Sequence, residues 1–236
     1  MKKISIIILL FPALVSAQGW YYSHVEVGAS GQNFSDDFNR TDADPPSGNW
    51  AEITGGGTSW AIETNQMAQN ALGSVNYAIS YTTPCNTVTQ YVCVLLVNGE
   101  GGALFRYTGT ANDGYYTVYA YGGDGNLYWS FNNHTGWVAD IGSGAAFEPG
   151  NNNYVGMTIQ GTGSGTIVKI WDLGTTPGRF TPTNKDNWET ASDAADVTLT
   201  DDPGGSAADT GLRVGIGTFN NNAAHNYDNW TGGDTN

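Results

Sequence analysis

Basic residues are scarce in this chain of 236 residues, in which 8 Lys and Arg stand against 22 Asp and Glu and the formal charge is −14. Nucleic-acid binding needs clustered Lys and Arg to neutralise phosphates. The composition therefore argues against nucleic acid, anionic membranes and acidic polysaccharides as partners. Neutral glycans, cations and other proteins remain.

Long apolar runs are lacking beyond the N-terminus, and the one present there is too short for a membrane helix of about 20 residues. Lys2 and Lys3 precede the apolar residues 4–11, and the small residues 15–17 (Val-Ser-Ala) follow. This order is typical of a secretory signal peptide. We expect residues 1–17 to be removed, which leaves a formal charge of −16 without the two lysines. A secreted or cell-surface protein without membrane insertion is predicted.

Sustained helical periodicity is also lacking, and 33 glycines interrupt the chain together with many Asn and Thr residues. Short alternating apolar and polar runs separated by turn residues are typical of β-sandwiches. We therefore predict an all-β, two-sheet antiparallel sandwich, or jelly roll, as one domain over residues 35–236. Residues 18–34 would form an N-terminal arm or an extra edge strand.

Cysteine is limited to Cys85 and Cys93. An even count in a secreted protein favours a disulfide. On one straight strand the two would lie about 26 Å apart, so a bridge requires a chain reversal near residues 86–89. The alternative is two buried thiols.

Two tyrosine-rich segments flank the turn at residues 122–125 (Gly-Gly-Asp-Gly). If this turn closes a hairpin, Tyr121 pairs with Asn126, and Tyr119 pairs with Tyr128. Because side chains alternate across a strand, these tyrosines share one face and apolar residues occupy the other. The predicted core face consists of Tyr116, Val118, Ala120, Leu127, Trp129 and Phe131.

Five segments, in this order, resemble the concanavalin A-like lectin/glucanase superfamily in its laminin-G-like secreted form. They are residues 34–40 (Phe-Ser-Asp-Asp-Phe-Asn-Arg), 48–50 (Gly-Asn-Trp), 60–65 (Trp-Ala-Ile-Glu-Thr-Asn), 104–106 (Leu-Phe-Arg) and 227–230 (Tyr-Asp-Asn-Trp). The resemblance implies two large antiparallel sheets whose first and last strands are neighbours. It also implies a concave sheet that holds glycans in many members, and often a structural calcium ion.

Calcium prefers six to eight oxygen ligands from loops, and two groups of acidic residues are candidates. One lies in the long acidic stretch 186–209 and the other where the terminal strands would meet; neither has the spacing of a calcium-binding loop. The candidates are Asp201, Asp202 and Asp209, and Asp36, Asp37 and Asp228.

The favoured hypothesis is a non-catalytic, lectin-like protein that binds a neutral glycan on the tyrosine face. Tyrosine offers an apolar ring and a hydroxyl, and a tryptophan after the turn at 135–136 is a further stacking candidate. The predicted contacts are Tyr115, Tyr119, Tyr121 and Tyr128, with Arg106, Asn126 and Trp137.

Three alternatives stay open at this point. Antiparallel sheets favour tyrosine on a solvated face without any ligand. The apolar arm at residues 20–29 could add to a neighbour's sheet edge in a filament or surface layer. A glycan hydrolase or lyase is the third alternative, although the Glu-x-Asp-x-Glu strand of one hydrolase branch is missing and no catalytic residue can be assigned.

Overall fold

The computed structural model describes residues 31–44, 46, 48–53, 60–70, 75–110, 114–121, 123–133, 136–140, 145–176, 195–200, 209–220 and 225–234. The signal peptide and residues 18–30 of the arm lie outside this part of the chain, so secretion and assembly through the arm stay predictions. No helix among the described residues has the length and apolar character needed to cross a membrane.

The described residues form β-strands and one short 3₁₀ turn, Gly163–Gly165. The strands are β1 (Asn33–Asp36), β2 (Trp50–Glu52), β3 (Trp60–Glu63), β4 (Gln66–Gln69), β5 (Val75–Tyr81), β6 (Gln90–Leu96), β7 (Gly101–Tyr107), β8 (Tyr115–Tyr121), β9 (Asn126–Asn133), β10 (Gly136–Asp140), β11 (Ala145–Ala146), β12 (Asn153–Gln160), β13 (Ile167–Gly174), β14 (Val197–Thr200), β15 (Arg213–Asn220) and β16 (His225–Asp234).

The strands make two antiparallel sheets. The terminal sheet has the order β14-β13-β12-β6-β16-β4-β3, with β1 also paired to β16. The hairpin sheet has the order β10-β9-β8-β7-β15-β5-β2, with β11 also paired to β9. The first described strand lies beside the last, with Phe34 opposite Gly232. The resemblance described above implied that the first and last strands are neighbours, and the structure confirms it.

The main core lies between the inner faces of the two sheets. All six residues predicted for the core face of the hairpin are buried there, with Trp129 and Tyr116 fully enclosed. The terminal sheet contributes Trp60, Tyr227 and Trp230 from the opposite side. Burial of each large apolar side chain contributes about 1.5–3 kcal/mol, so these aromatics hold the sheets together.

The predicted disulfide is wrong, because Cys85 and Cys93 are both buried free thiols. Cys85 belongs to the main core between the sheets. Cys93 packs with Tyr91 and Trp171 in a separate apolar cluster, on the outer face of the terminal sheet. The two thiols therefore pack in different apolar clusters, and no disulfide joins them.

Candidate functional site

The tyrosine hairpin adopts the register predicted from its sequence. Tyr121 pairs with Asn126, Tyr119 pairs with Tyr128, and Thr117 pairs with Ser130. The turn is closed by the Gly125 N–H, which donates to the Tyr121 carbonyl at 3.0 Å. Gly125 has a φ of +70°, a conformation that glycine adopts without steric cost.

Three tyrosine rings form a contiguous array near this turn. The rings of Tyr119 and Tyr128 are stacked, with centroids 5.5 Å apart and an interplanar angle of 11°. Tyr121 meets Tyr128 edge to face, with centroids 6.0 Å apart and an angle of 75°. Tyr121 and Tyr128 are half-buried, whereas Tyr119 lies beneath them with 4% of its surface exposed. We call Tyr121, Tyr128, Asp124 and Asn126 the hairpin tip.

Asp124 supplies an exposed carboxylate to the hairpin tip. Its Oδ2 accepts a hydrogen bond from the Tyr128 hydroxyl at 2.5 Å, and its Oδ1 accepts one from the Asn126 N–H at 3.0 Å. The hydrogen bond from Tyr128 is the main reason why the pKa of Asp124 lies below its ordinary value. The carboxylate is therefore ionised at neutral pH and fixes the orientation of the Tyr128 ring.

Sequence reasoning missed Asp124 as a site residue, although a local signal was present. An aspartate at a turn often accepts a hydrogen bond from the backbone two residues later, which is the position of Asn126. The same carboxylate then reaches the hydroxyl of Tyr128, four residues along the chain. An Asp-x-Asn-x-Tyr spacing at a hairpin turn was sufficient to suggest it.

A second carboxylate, that of Glu148, lies beside the turn. The Phe147 N–H donates to the Gly125 carbonyl at 3.0 Å, which holds this segment against the turn. A Cβ atom placed on Gly125 would lie 3.5 Å from Glu148 Oε2. The side chain of Glu148 is exposed, so the surroundings of the tip carry two acidic groups.

The far part of the tyrosine face is closed, contrary to the expectation of an open sugar-binding surface. Tyr115 is 4% exposed and packs with Ile53, Ala78 and Leu104 in an outer apolar cluster. Its ring meets that of Tyr107 edge to face at 5.9 Å. Burial raises the pKa of Tyr115 above its ordinary value. Tyr115 and Tyr119 therefore support the sheet and do not offer open ring faces.

Arg106 does not belong to the tyrosine face, because a β-bulge turns it inward. Tyr107 pairs with Arg213 and Leu104 pairs with Gly215, so that two residues of β7 oppose one residue of β15. Arg106 has a φ of +56° and no exposed surface. The prediction that Arg106 is a polar glycan contact is therefore wrong.

The calcium candidates are engaged in other interactions where the structure describes them. Asp209 Oδ1 accepts from Arg106 at 3.0 Å and its Oδ2 accepts from the Gly163 N–H at 2.9 Å. Asp36 accepts from Arg40 at 2.6 Å and from the Trp50 indole at 2.8 Å. Burial of Asp36 disfavours its ionised form. The hydrogen bonds have the larger combined effect, so the pKa of the carboxyl lies below its ordinary value.

Asp37 and Asp228 do not complete a calcium site with Asp36. Burial raises the pKa of Asp228, and the nearby charge of Asp37 raises it further. Within the described residues, no group of three or more His, Cys, Asp or Glu side chains is placed to hold a metal ion. These carboxylates do not fit the calcium site predicted for them. Asp201, Asp202 and the side chain of Trp137 lie outside the described part of the chain.

Comparison with known proteins relates the chain to others by structure alone. No protein-family model matches the sequence, and no curated protein matches it. Among solved structures, carbohydrate-binding module CBM66 from Bacillus subtilis is similar with a TM-score of 0.50 and 11% sequence identity. The match covers 79% of this chain and 96% of that module.

A xylan β-1,4-xylosidase from Bacillus halodurans C-125 is similar with a TM-score of 0.50 and 11% identity. The match covers 85% of this chain but 39% of the enzyme, so the chain spans less than half of that enzyme's length. Arcelin-5, a lectin-like defence protein from Phaseolus vulgaris, has a TM-score of 0.46, 13% identity, and coverage of 87% and 98%. Likeness at these identities concerns the fold. The protein has the two-sheet antiparallel fold of the concanavalin A-like lectin/glucanase superfamily.

Proposed function

We propose that this protein is a secreted, non-catalytic, lectin-like β-sandwich that binds a neutral glycan at the hairpin tip. The observation that carries the proposal is the array of Tyr121 and Tyr128 beside the Asp124 carboxylate. Sugars combine apolar C–H faces with hydroxyl groups, so they need an aromatic plane and a few placed polar groups. The hairpin tip supplies both.

The tip is ordered before any ligand arrives. Tyr119 supports one side of Tyr128 by stacking, and Asp124 holds the Tyr128 hydroxyl. Because the ring is already fixed, ligand binding loses less side-chain entropy than binding to a mobile tyrosine. This arrangement favours a binding role over a tyrosine that only covers the sheet.

The charge of the tip selects among glycans. Asp124 and Glu148 place two carboxylates beside the tyrosines, and the whole chain has a formal charge of −14. Acidic polysaccharides are repelled by such a surface, whereas neutral hydroxyl groups donate to carboxylates in strong hydrogen bonds. A neutral glycan is therefore the ligand class that fits.

Two further features support the proposal. The carbohydrate-binding module from Bacillus subtilis has the same sandwich architecture, so the fold is suited to presenting sugar-binding surfaces. The non-catalytic part rests on the sequence, which lacks the Glu-x-Asp-x-Glu strand of one hydrolase branch. A retaining glycosidase needs two carboxyl groups about 5–5.5 Å apart across the scissile bond.

The proposal is tested by a glycan array probed with the purified protein after removal of residues 1–17. The double variant Tyr121→Ala/Tyr128→Ala should bind at least about 30-fold more weakly, since the loss of even one central aromatic contact costs about 2 kcal/mol. Tyr154→Ala is the matched control, because Tyr154 is a half-buried tyrosine of the terminal sheet. Absence of binding to any glycan overturns the function. Equal binding by the double variant overturns the site.

The same array tests the predicted calcium ion when it is run with added calcium and again with a chelator. A dependence on calcium would place a metal near the ligand or in the acidic stretch that contains Asp201 and Asp202. Equal binding with calcium and with the chelator would show that glycan recognition does not need calcium. The tyrosine array needs no metal to present its rings.

A further inference from the structure

The outer face of the tyrosine hairpin is open only at the end that carries the turn. Thr117 and Ser130 form one cross-strand pair of this face, and neither side chain has exposed surface. In the next pair toward the turn, Tyr119 is 4% exposed and Tyr128 is half-buried. Tyr121, the last residue of β8, is also half-buried. The surface that a ligand can reach therefore extends from Tyr128 to the turn.

The neighbouring strand β7 does not enlarge this surface. Gly102 lies opposite Tyr119, is buried, and has no side chain that could contact a ligand. Leu104 lies opposite Thr117, has no exposed surface, and belongs to the outer apolar cluster. Every residue of β7, all of which the structure describes, is buried. Tyr121 and Tyr128 are thus the aromatic rings that this part of the sheet offers to a ligand.

These two rings do not lie in one plane. Their centroids are 6.0 Å apart and their planes meet at 75°. A sugar unit stacks by laying its apolar C–H face parallel to an aromatic ring. Successive units of a flat polysaccharide ribbon need rings that are parallel to one another, and the one parallel partner of Tyr128, Tyr119, is covered. The geometry therefore fits one sugar unit on one ring, with the second ring beside it.

The fixed carboxylate of the tip lies at the same end. The two oxygens of Asp124 accept hydrogen bonds from the Asn126 N–H and the Tyr128 hydroxyl. A carboxylate oxygen has two lone pairs, so each oxygen of this exposed group retains the capacity to accept from a sugar hydroxyl. Because Asp124 bonds directly to the Tyr128 hydroxyl, a sugar unit in contact with this ring lies close to the carboxylate. Stacking and hydrogen bonding thus converge on the same sugar unit.

We propose that the hairpin tip recognises a short determinant, one or two sugar units of a neutral soluble glycan, and does not bind the flat face of an insoluble polysaccharide. This inference rests on the proposed function and adds to it the size and form of the ligand. A third unit along a chain would extend beyond the two rings, toward strand positions of β7 and β8 that are buried. Each further unit then adds little to the free energy of binding, because affinity depends on the quality of the contacts and not on the length of the ligand.

The test measures affinity against chain length by isothermal titration calorimetry, with neutral xylo-, cello-, manno- and galacto-oligosaccharides of one to six units. The affinity should level off at two units. From two to six units it should rise by no more than about fivefold, because a longer chain only multiplies the positions at which a two-unit site can bind. The protein should also stay in solution when it is mixed with microcrystalline cellulose, whose flat chain faces suit parallel rings.

The variant Asp124→Asn tests whether the polar contacts belong to the same short determinant. It should weaken the binding of two-unit and six-unit probes by the same factor, about tenfold, the loss of one charge-assisted hydrogen bond. Glu63→Gln is the control, because it neutralises an exposed glutamate of the terminal sheet, and it should leave both affinities unchanged.

Two results overturn the short determinant and leave the proposed function standing. One is an affinity that rises more than about fivefold beyond two units, or retention on cellulose that the Tyr121→Ala/Tyr128→Ala variant loses. The other is an Asp124→Asn protein that binds six-unit probes as tightly as the unmodified protein, since contacts beyond the tip would then carry the affinity. Absence of binding to every probe overturns the proposed function, and the size of its determinant with it.

Discussion

The guanidinium of Arg106 lies 3.0 Å from the carboxylate of Asp209, and the arginine side chain has no exposed surface. Its Nε donates to the Val88 carbonyl at 3.1 Å, and its Nη2 donates to the Gly161 carbonyl. The guanidinium also lies 5.8 Å from the ring centroid of Tyr116. One bulged residue thus joins three loops to the end of the hairpin sheet.

Replacing Arg106 with Met should lower the free energy of unfolding by about 3–5 kcal/mol, because the partner charge and two carbonyls lose their donor inside the protein. Arg40→Met is the matched control. Arg40 pairs with Asp36 at 2.6 Å but is 27% exposed, and such pairs contribute about 1 kcal/mol or less. Urea unfolding measures the loss of stability in both variants. Equal losses in the two variants would contradict a structural role specific to Arg106.

Gly101 is required for a steric reason that does not apply to Gly174. Both Gly101 and Gly174 have positive φ, +115° and +67°. A Cβ atom on Gly101 would collide with the buried ring of Tyr227, whereas one on Gly174 meets nothing within 4 Å. Gly101→Ala should cost about 2–4 kcal/mol from strain and overpacking. Gly174→Ala should cost about 1 kcal/mol from strain alone.

Thermal unfolding of the two alanine variants, followed by circular dichroism, checks this difference. If Gly174→Ala lowers the stability as much as Gly101→Ala does, the loss comes from the backbone conformation alone and not from a collision with Tyr227. A stable Gly101→Ala protein would mean that Tyr227 moves aside readily.

The hairpin was predictable because its determinants are local. Strict alternation separates a core face from a polar face, and a four-residue turn then allows one register. The observed pairs Tyr119–Tyr128 and Tyr121–Asn126 follow from these two facts. The overall sandwich was predictable for the same reason, since short alternating strands repeat along the chain.

The burial of Tyr115 and the orientation of Arg106 were not predictable from the sequence. Tyr115 is closed off by Ile53 and Ala78, which are distant in the chain. The bulge at Arg106 uses a positive φ at a residue other than glycine, so no glycine marks it. The burial of His225 depends likewise on pairing between β4 and β16, which alternation within a strand does not reveal.

The two cysteines should behave as inert thiols in the folded protein. Cys85 lies in the main core and Cys93 in the cluster of Tyr91 and Trp171. Burial raises the pKa of Cys93 to about 12 and that of Cys85 further still. Since the thiolate is the reactive form, neither should react with a thiol reagent until the protein unfolds.

A colorimetric thiol assay in buffer and in denaturant checks this expectation. The folded protein should show no reactive thiol, and the unfolded protein should show two, one for each cysteine in the chain. Stability should be the same with and without a reducing agent. If the unfolded protein shows no reactive thiol and a reducing agent lowers its stability, the two cysteines form a disulfide and the expectation of free thiols is wrong.

His225 should make the protein sensitive to moderate acid. Its pKa is lowered by burial to about 4, whereas in the unfolded chain a histidine has a pKa of about 6.5. The unfolded state therefore binds a proton more readily, so folding stability is complete above about pH 6.5 and falls as the pH approaches 4. The shift corresponds to a loss of up to about 3 kcal/mol. Glu100, 3.5 Å away, offsets part of this loss while it is ionised.

The variant His225→Gln separates this contribution from that of the carboxyl groups. Glutamine keeps a donor and an acceptor but does not titrate, so the variant should lose less stability than the unmodified protein between about pH 7 and about pH 4.5. Urea midpoints at the two pH values give the comparison. Equal losses in the two proteins would mean that the imidazole is not held neutral in the fold. A smaller loss in the variant would show that the buried ring is the acid-sensitive group, because the carboxyl groups are the same in both proteins.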